Sequence, residues 1–150
     1  MGYMIVPLQA CRERMAEAAQ WFSSKWGIPL EAYIESMEDS LRTQSGVPQW
    51  YLAMDAGQII GGIGVIENDF HKRRDLAPNL CAIYVEEPYR MQGIASALMD
   101  TACAGLRQHG IEKAYLITTH TQFYERCGFT FYGMIEEDDG SPVRMYMRDC

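Results

Sequence analysis

Apolar residues recur at helical spacing in several segments of the chain, and this periodicity predicts amphipathic helices. The predicted helices span residues 11–26, 30–43 and 90–109, with a short fourth helix at 121–127. Glycine or proline closely follows each of them, which is the usual signal for the end of a helix. The segment 90–109 is the longest and has the most regular apolar face, so it is the strongest helix prediction in the chain.

Short apolar runs between these helices predict strands over residues 3–8, 49–55, 58–67, 80–85, 114–118, 129–135 and 143–147. Asp55-Ala56-Gly57 has the composition of a hairpin turn. Three glycines in the segment 58–67 indicate a β-bulge or a close approach by another group, because glycine otherwise weakens a strand. The order of the elements predicts a layered α/β fold with a mixed sheet.

Composition and charge narrow the class of protein. The chain has 150 residues and a formal net charge of -7, which is typical of one acidic globular domain. The acidic balance argues against a nucleic-acid partner, since such proteins need a basic surface to replace counterions. No apolar run has the ~20 residues that span a bilayer. The first residues also lack the features of a signal peptide, so we expect a single cytoplasmic domain (1–150) with no membrane partner.

The chain contains five cysteines, an odd number, and no C-x-x-C pair. Disulfide frameworks and zinc sites both use paired cysteine spacings. We therefore expect neither a disulfide framework nor a metal site.

One segment carries a candidate binding motif. Residues 84–95 run from a predicted buried strand, through a turn, into the start of the longest helix. The first turn of a helix offers unpaired N–H groups and the positive end of the helix dipole, which together bind phosphate without a lysine. Gly93 would let the backbone touch a pyrophosphate, and Ala95 is nearly as small. Taken alone, this motif is better explained by close packing of helix against sheet, and the dinucleotide and Walker fingerprints are absent.

A second motif, Phe123-Tyr124-Glu125-Arg126-Cys127-Gly128-Phe129, lies on the next predicted strand-to-helix junction. With it, the chain resembles the GCN5-related N-acetyltransferases (GNAT family). Arg90, Gly93 and Ala95 match the acetyl-CoA signature [Q/R]-x-x-G-x-[G/A] of that family. The second motif matches its later signature, F-Y-x-x-x-G-F. Residues 75–80 also resemble the family's approach to its fourth strand, and the order of elements extends the resemblance over nearly the whole chain.

The resemblance implies a single-domain fold whose mostly antiparallel central sheet has about six to seven strands, flanked by about four helices. It implies an enzyme that takes acetyl-CoA as cosubstrate, needs no metal and transfers the acetyl group directly to an amine. We expect a primary amine of a small molecule. A peptide or protein acceptor is an alternative, and so is a non-catalytic acyl-CoA-binding sensor. The family often dimerises through its C-terminal strands, which here contain Tyr132, Met134, Met145 and Met147.

The resemblance also implies which residues contact acetyl-CoA. The fourth strand would hold the pantetheine arm through the backbone of Ile83, Tyr84 and Val85, and the Val85 N–H would face the thioester oxygen. The pyrophosphate would lie on the turn made of Arg90, Met91, Gln92, Gly93, Ile94, Ala95 and Ser96. Tyr124 would act as the general acid that protonates the leaving thiolate.

The resemblance says less about the general base and the acceptor contacts than about the acetyl-CoA contacts. Some family members use a glutamate on the fourth strand, but residues 80–85 contain no carboxylate. Glu67 and His120 are the candidates that remain. Candidate acceptor contacts are Tyr33, Asp69, His71 and Asp75. Tyr33 also fits a core position, and the other three fit a solvated loop.

Four carboxylates on the predicted second helix bear on the charge of the acceptor. With Asp69 they would suit a polyamine or an aminoglycoside, and they fit a solvated helix face equally well. These residues are Glu31, Glu35, Glu38 and Asp39.

Overall fold

A computed structural model describes residues 2–150 of the chain. The strands are β1 (Met4–Pro7), β2 (Gln49–Asp55), β3 (Gln58–Ile66), β4 (Asn79–Val85), β5 (Lys113–Thr118), β6 (Thr130–Glu136) and β7 (Pro142–Asp149). The α-helices are α1 (Met15–Trp26), α2 (Leu30–Arg42), α3 (Ile94–Gln108) and α4 (Phe123–Arg126). Single 3-10 turns lie at Leu8–Ala10, Arg12–Arg14 and Glu87–Tyr89.

The strands form one seven-stranded sheet in the order β1-β2-β3-β4-β5-β7-β6. All neighbouring strands are antiparallel except β4 and β5, which are parallel. The mixed, mostly antiparallel sheet and the four α-helices confirm the predicted fold class.

The sheet opens between β4 and β5. These strands pair only at Asn79 and Tyr115 within residues 2–150, whereas every other strand pair continues over several positions. The ladder between β3 and β4 also contains a bulge, and Ala82 there has a left-handed φ of 56°. The bulge bends β4 away from regular pairing. The middle of the sheet therefore has a gap toward which β4 presents unpaired backbone groups.

Helices cover the two faces of the sheet and bury separate apolar clusters. α3 packs on one face, where Leu98 and Met99 share a buried apolar cluster with Ile60 of β3. α1 and α2 cover the other face, where Phe22 and Met37 pack near Leu52. Each helix thus buries the apolar stripe that its sequence predicted.

The glycines of β3 make room for large aromatic rings on the face of the sheet that α1 and α2 cover. A Cβ at Gly62 would lie 2.5 Å from the Phe22 ring, and one at Gly64 would lie 2.4 Å from the Trp50 ring. Both separations are too short for any side chain. The prediction of a bulge or a close approach in this strand is confirmed, because both features occur.

Two predicted helix boundaries were wrong. Residues 11–14 do not extend α1, since Arg12–Arg14 form a 3-10 turn that precedes it. Residues 90–93 do not extend α3, because Met91 and Gly93 have left-handed φ angles of 63° and 81°. A left-handed residue interrupts a right-handed helix. The segment predicted as the first helical turn is therefore a separate loop.

The C-terminal strands offer less surface for a dimer than the sequence suggested. β6 is the edge strand, and its Tyr132 and Met134 are exposed. Met145 is fully buried between sheet and loop, and Met147 is half-buried. Met145 therefore belongs to the core. No helix in residues 2–150 combines the length and apolar character of a membrane span.

Candidate active site

Two adjoining pockets open where β4 and β5 separate. The inner pocket has a volume of about 490 Å³ and lies between α2, the β3–β4 loop and β5. The turn pocket has a volume of about 610 Å³ and lies against the loop that precedes α3. The side chains that line both pockets are Trp26, Ile83, His120 and Tyr124. A molecule in one pocket would therefore meet a molecule in the other beside these four residues.

The loop that precedes α3 presents a row of free donors to the turn pocket. Within residues 2–150, no protein group accepts a hydrogen bond from the backbone N–H groups of residues 91–96. The first backbone hydrogen bond of the helix runs from the Ala97 N–H to the Gly93 carbonyl, at 3.0 Å. A Cβ at Gly93 would have no atom within 4 Å and would project into open space. The loop thus has the free donors and the helix-end position that typically bind an anion.

Arg90 braces this loop. Its Nε donates to the Val85 carbonyl at 2.8 Å, and its guanidinium lies 5.2 Å from the centre of the Tyr84 ring. These contacts tie the loop to the end of β4. Arg90 also lines the turn pocket, as do all the other predicted acetyl-CoA contacts except Gln92.

The Val85 N–H points into the gap between β4 and β5. Val85 is paired with Gly61 on β3, and the next residue, Glu86, donates its N–H to the Ile60 carbonyl at 2.8 Å. Successive N–H groups of an antiparallel strand point to opposite sides. The Val85 N–H therefore points away from β3 and toward the pockets, where it can donate to a bound carbonyl oxygen.

Tyr124 is held rigidly at the boundary of the two pockets. It is the second residue of α4 and is only 8% exposed. The rings of Phe123 and Phe129 pack against it in edge-on contacts at 5.0 and 6.1 Å. Burial raises the pKa of its hydroxyl above the usual range, so Tyr124 is protonated at neutral pH. It is placed to donate a proton.

Asp69 lies in the inner pocket, and the pKa of its carboxyl group is higher than usual. It lies on the β3–β4 loop, and burial raises its pKa to about 6. A carboxyl with that pKa is ionised at neutral pH and still accepts a proton readily. Of the residues that line either pocket, Asp69 is the only carboxylate in the described chain.

Tyr33 contributes a buried hydroxyl to the same pocket. Its side chain is 4% exposed and stacks on Phe22 at 5.6 Å. The hydroxyl has no hydrogen-bond partner in residues 2–150. A buried hydroxyl without a partner costs stability. Tyr33 therefore fills the core with its ring, as the helical spacing suggested, and its hydroxyl is an unsatisfied polar group covered by the residues beside the pocket.

The two predicted base candidates lie in different environments. Glu67 is exposed and lines neither pocket. His120 lines both pockets and is exposed at their mouth. The structure thus brings His120 to the site together with Asp69 and leaves Glu67 outside.

His71 lies outside both pockets, contrary to its prediction as an acceptor contact. The side chain is fully buried, and its Nδ1 accepts the Arg73 N–H at 3.2 Å. Its Nε2 therefore carries the proton and donates to Asn79 Oδ1 at 2.8 Å. Asn79 Nδ2 in turn donates to the carbonyls of Glu67 and Leu76. His71 thus stabilises the loop that carries Asp69.

Asp75 is also outside the site. It is exposed and forms a two-pronged ion pair with Arg73 at 2.9 and 2.8 Å. This pairing lowers the pKa of Asp75 to about 2. Asp75 lines neither pocket, so it cannot contact a ligand there.

The sequence underestimated several residues of the site. Asp69 was one acceptor candidate among four, because its burial depends on the fold of a polar loop. The aromatic residues Trp26 and Trp50 also line the inner pocket, and the sequence assigned neither of them to the site. Within residues 2–150, no cluster of three or more His, Cys, Asp or Glu side chains could hold a metal ion.

The sequence model of the acetyltransferase (GNAT) domain family matches residues 47–131, which is more than half of the chain. The chain therefore belongs to the GNAT family. N-alpha-acetyltransferase 30 of Schizosaccharomyces pombe is 28% identical over 95 residues, a match that covers 57% of this chain and 63% of the relative. The match thus spans less than two thirds of that relative's length.

Solved structures share the fold at low sequence identity. A GNAT-family acetyltransferase from Streptococcus pneumoniae is 18% identical, with a TM-score of 0.74 over 99% of this chain and 100% of that one. The Salmonella typhimurium protein yncA, solved with its cofactor acetyl-CoA, is 10% identical, with a TM-score of 0.71 over 99% and 94%. An aminoglycoside 6'-acetyltransferase type Ii is 17% identical, with a TM-score of 0.67 over 97% and 96%.

Proposed function

We propose that this chain is an acetyl-CoA-dependent N-acetyltransferase that transfers the acetyl group directly to the primary amine of a small molecule. The observation that carries this proposal is the meeting of the two pockets at Tyr124 and His120. One pocket has an anion-binding loop, and the other has a single carboxylate. A phosphorylated donor and a cationic acceptor would each find a complementary site. Membership of the GNAT family supports the same assignment.

The turn pocket fits acetyl-CoA. The free N–H groups of residues 91–96 match the pyrophosphate oxygens, and the dipole of α3 adds to the attraction. Gly93 leaves room for the phosphates, because any side chain there would project into the pocket. The open edge of β4 at residues 83–85 matches the amide groups of the pantetheine arm. This arm would bring the thioester to the boundary of the pockets.

The reaction needs a base on the acceptor side. An amine that arrives as an ammonium ion loses one proton to Asp69, whose pKa of about 6 lets it exchange that proton with solvent near neutrality. His120 is exposed at the mouth of both pockets and offers a path for the proton to leave. Asp69 therefore replaces the fourth-strand glutamate that this chain lacks.

Acetyl transfer then follows in two bond changes. The amine nitrogen attacks the thioester carbonyl carbon, and the Val85 N–H donates to the oxygen as it gains negative charge. The C–S bond breaks, and the leaving thiolate takes the hydroxyl proton of Tyr124. The second nitrogen proton returns to the Tyr124 oxygen. The ammonium ion thus loses two protons, of which one remains on the CoA thiol and one is released to solvent.

A thiol-release assay with a panel of primary amines tests the proposal, with mass spectrometry to identify the acetylated amine. We expect thiol and acetylated amine to appear in equal amounts. Tyr124→Phe is the informative variant, because it removes the hydroxyl and keeps the ring contacts. Binding of acetyl-CoA without any acetylated product would contradict the proposal and favour a non-catalytic acyl-CoA sensor.

A peptide or protein N-terminus is the second candidate acceptor. The observation that favours it is the sequence match to an N-alpha-acetyltransferase of S. pombe. Short peptides with a free N-terminus belong in the same assay, beside the same peptides with a blocked N-terminus. Faster turnover of free peptides than of any small amine would support this candidate.

A further inference from the structure

We infer that the inner pocket selects a primary amine that carries one positive charge on an apolar, preferably aromatic, body, and that it disfavours polyamines and aminoglycosides. This inference rests on the proposed function, because it names the class of acceptor for the same site. It follows from the charge, the walls and the unsatisfied groups of the pocket.

The inner pocket has one negatively charged side chain, which matches an acceptor with one positive charge. Asp69 is the only carboxylate among the residues lining the inner pocket in the described chain. The carboxylates of α2 are exposed and lie outside both pockets, and Asp39 is paired with Arg42 at 2.5 Å. They therefore belong to a solvated helix face. The further charges of a polyamine would lie against apolar walls, and burying such unpaired charge is costly.

The walls of the pocket are mostly apolar and rich in aromatic rings, although Ser36, Thr118, Thr119 and His120 add polar groups. The apolar residues include Trp26, Ile28, Trp50, Ile66, Phe70 and Leu116. Trp50 Nε1 is already satisfied by Ser36 Oγ at 2.9 Å, so the indole presents its apolar surface. Such walls bind an apolar group through burial and ring contacts.

Two exposed aromatic residues line the pocket at its surface. Trp26 is 46% exposed and Phe70 is 58% exposed. Phe70 has a left-handed φ of 62°, which is uncommon for a bulky residue and persists where surrounding structure holds it. This conformation holds the large apolar side chain of Phe70 at the pocket. Phe70 directly follows Asp69 in the sequence. An aromatic acceptor would cover these rings, whereas a hydrophilic polycation would leave them in water.

Tyr33 carries a second polar group on a side chain that lines the pocket. This hydroxyl is buried and has no partner in residues 2–150. The one carboxylate suits a single cationic nitrogen, and the mostly apolar remainder of the pocket suits a carbon skeleton.

Steady-state kinetics with phenethylamine, spermidine and kanamycin at about 0.15 M salt test the inference, since that ionic strength screens non-specific attraction to an acidic surface. We expect kcat/KM for phenethylamine to exceed that for either polycation by about tenfold or more, the range that apolar pocket contacts supply. Equal or higher values for spermidine or kanamycin would overturn the inference.

Three variants show which residues are responsible for the selection of the amine acceptor. Asp69→Asn should lower kcat/KM for phenethylamine, and Tyr33→Phe should raise its KM while the fold is retained. Glu35→Gln is the matched control, because Glu35 is an exposed α2 carboxylate outside both pockets. It should leave every amine unchanged. A selective loss of spermidine turnover in Glu35→Gln would show that the α2 carboxylates bind the acceptor, contrary to the inference.

Binding measurements separate this inference from the proposed function. If no amine is acetylated, the proposed function fails, and titration calorimetry with CoA-saturated protein then decides the inference. Tighter binding of phenethylamine than of spermidine, lost in Asp69→Asn, would support the selectivity. Equal or weaker binding of phenethylamine would overturn it.

Discussion

Asn79 and Tyr115 form the single paired position between β4 and β5 in the part of the chain that the structure describes. The Tyr115 N–H also donates to the Pro78 carbonyl at 3.0 Å, at the same end of the two strands. Beyond this point the strands diverge, and the two pockets occupy the gap. The position of this last pair thus sets where the gap and its two pockets begin.

Gly93→Ala should weaken the binding of acetyl-CoA, because Gly93 lies in the loop before α3. Gly93 has a φ of 81°, and its Cβ would project into the turn pocket. We expect the variant to bind acetyl-CoA at least about tenfold more weakly, because a left-handed alanine costs ~1–2 kcal/mol and the methyl group blocks the phosphates. Titration calorimetry measures the change.

Gly110→Ala is the matched control for that variant. Gly110 has a φ of 78° and the same open surroundings, but it lies beyond the other end of α3. It should lose similar stability and keep its affinity for acetyl-CoA. An equal loss of affinity in both variants would mean that backbone strain, and not the turn pocket, explains the effect.

Tyr124→Phe should lower the rate of acetyl transfer without weakening the binding of acetyl-CoA. The variant keeps the ring contacts with Phe123 and Phe129 and removes the proton donor. We expect kcat to fall by about 10²-fold or more, in the range of general acid catalysis. The dissociation constant of acetyl-CoA should stay within about twofold, an estimate for a change that removes no proposed donor contact. An unchanged kcat would exclude Tyr124 as the acid.

Asp69→Asn should stabilise the fold at high pH. The pKa of Asp69 is raised from 3.8 to about 6, so the folded state favours the protonated form. Ionisation of Asp69 therefore destabilises the wild type as pH rises through this range. The difference between the two pKa values corresponds to at most about 3 kcal/mol at pH well above 6.

Urea unfolding at several pH values measures this effect. Below pH ~4 the carboxyl is protonated in both the folded and unfolded states, so its ionisation penalty disappears. The stability gain of Asp69→Asn should therefore grow between pH ~4 and ~7. A gain that does not change with pH would contradict the raised pKa.

Asn79→Ala should loosen the loop that carries Asp69. The change removes the acceptor of the His71 Nε2–H and the donor to the Glu67 and Leu76 carbonyls. Buried polar groups left without partners cost ~1–3 kcal/mol each, so we expect a clear loss of stability. The KM for the amine should rise more than the dissociation constant of acetyl-CoA. Equal changes in both would show that the whole site is disturbed.

The individual helices and strands were predictable because their signals are local, whereas the sheet architecture was predicted from the resemblance to the GNAT family. Helical spacing, apolar runs and the Arg90–Ala95 motif depend on neighbouring residues, and the structure confirms the sheet and the four helices. The start of α3 was misplaced because nothing in the motif indicates the left-handed conformation of Met91.

The inner pocket was less predictable because burial of loop residues depends on distant contacts. His71 and Asp69 are neighbours in a polar segment, yet one is fully buried in a hydrogen-bond network and the other lines the pocket. Periodicity says nothing about such a segment. The raised pKa of Asp69 likewise follows from the packed structure and has no signature in the sequence.

The most direct test of the account is a single-turnover reaction of the wild-type protein with acetyl-CoA and phenethylamine, followed by mass spectrometry. The account predicts that one N-acetylated amine forms for each thiol released, and that Tyr124→Phe slows this step while still binding acetyl-CoA. Retention of intact acetyl-CoA on the protein in the presence of every amine and peptide offered would contradict it.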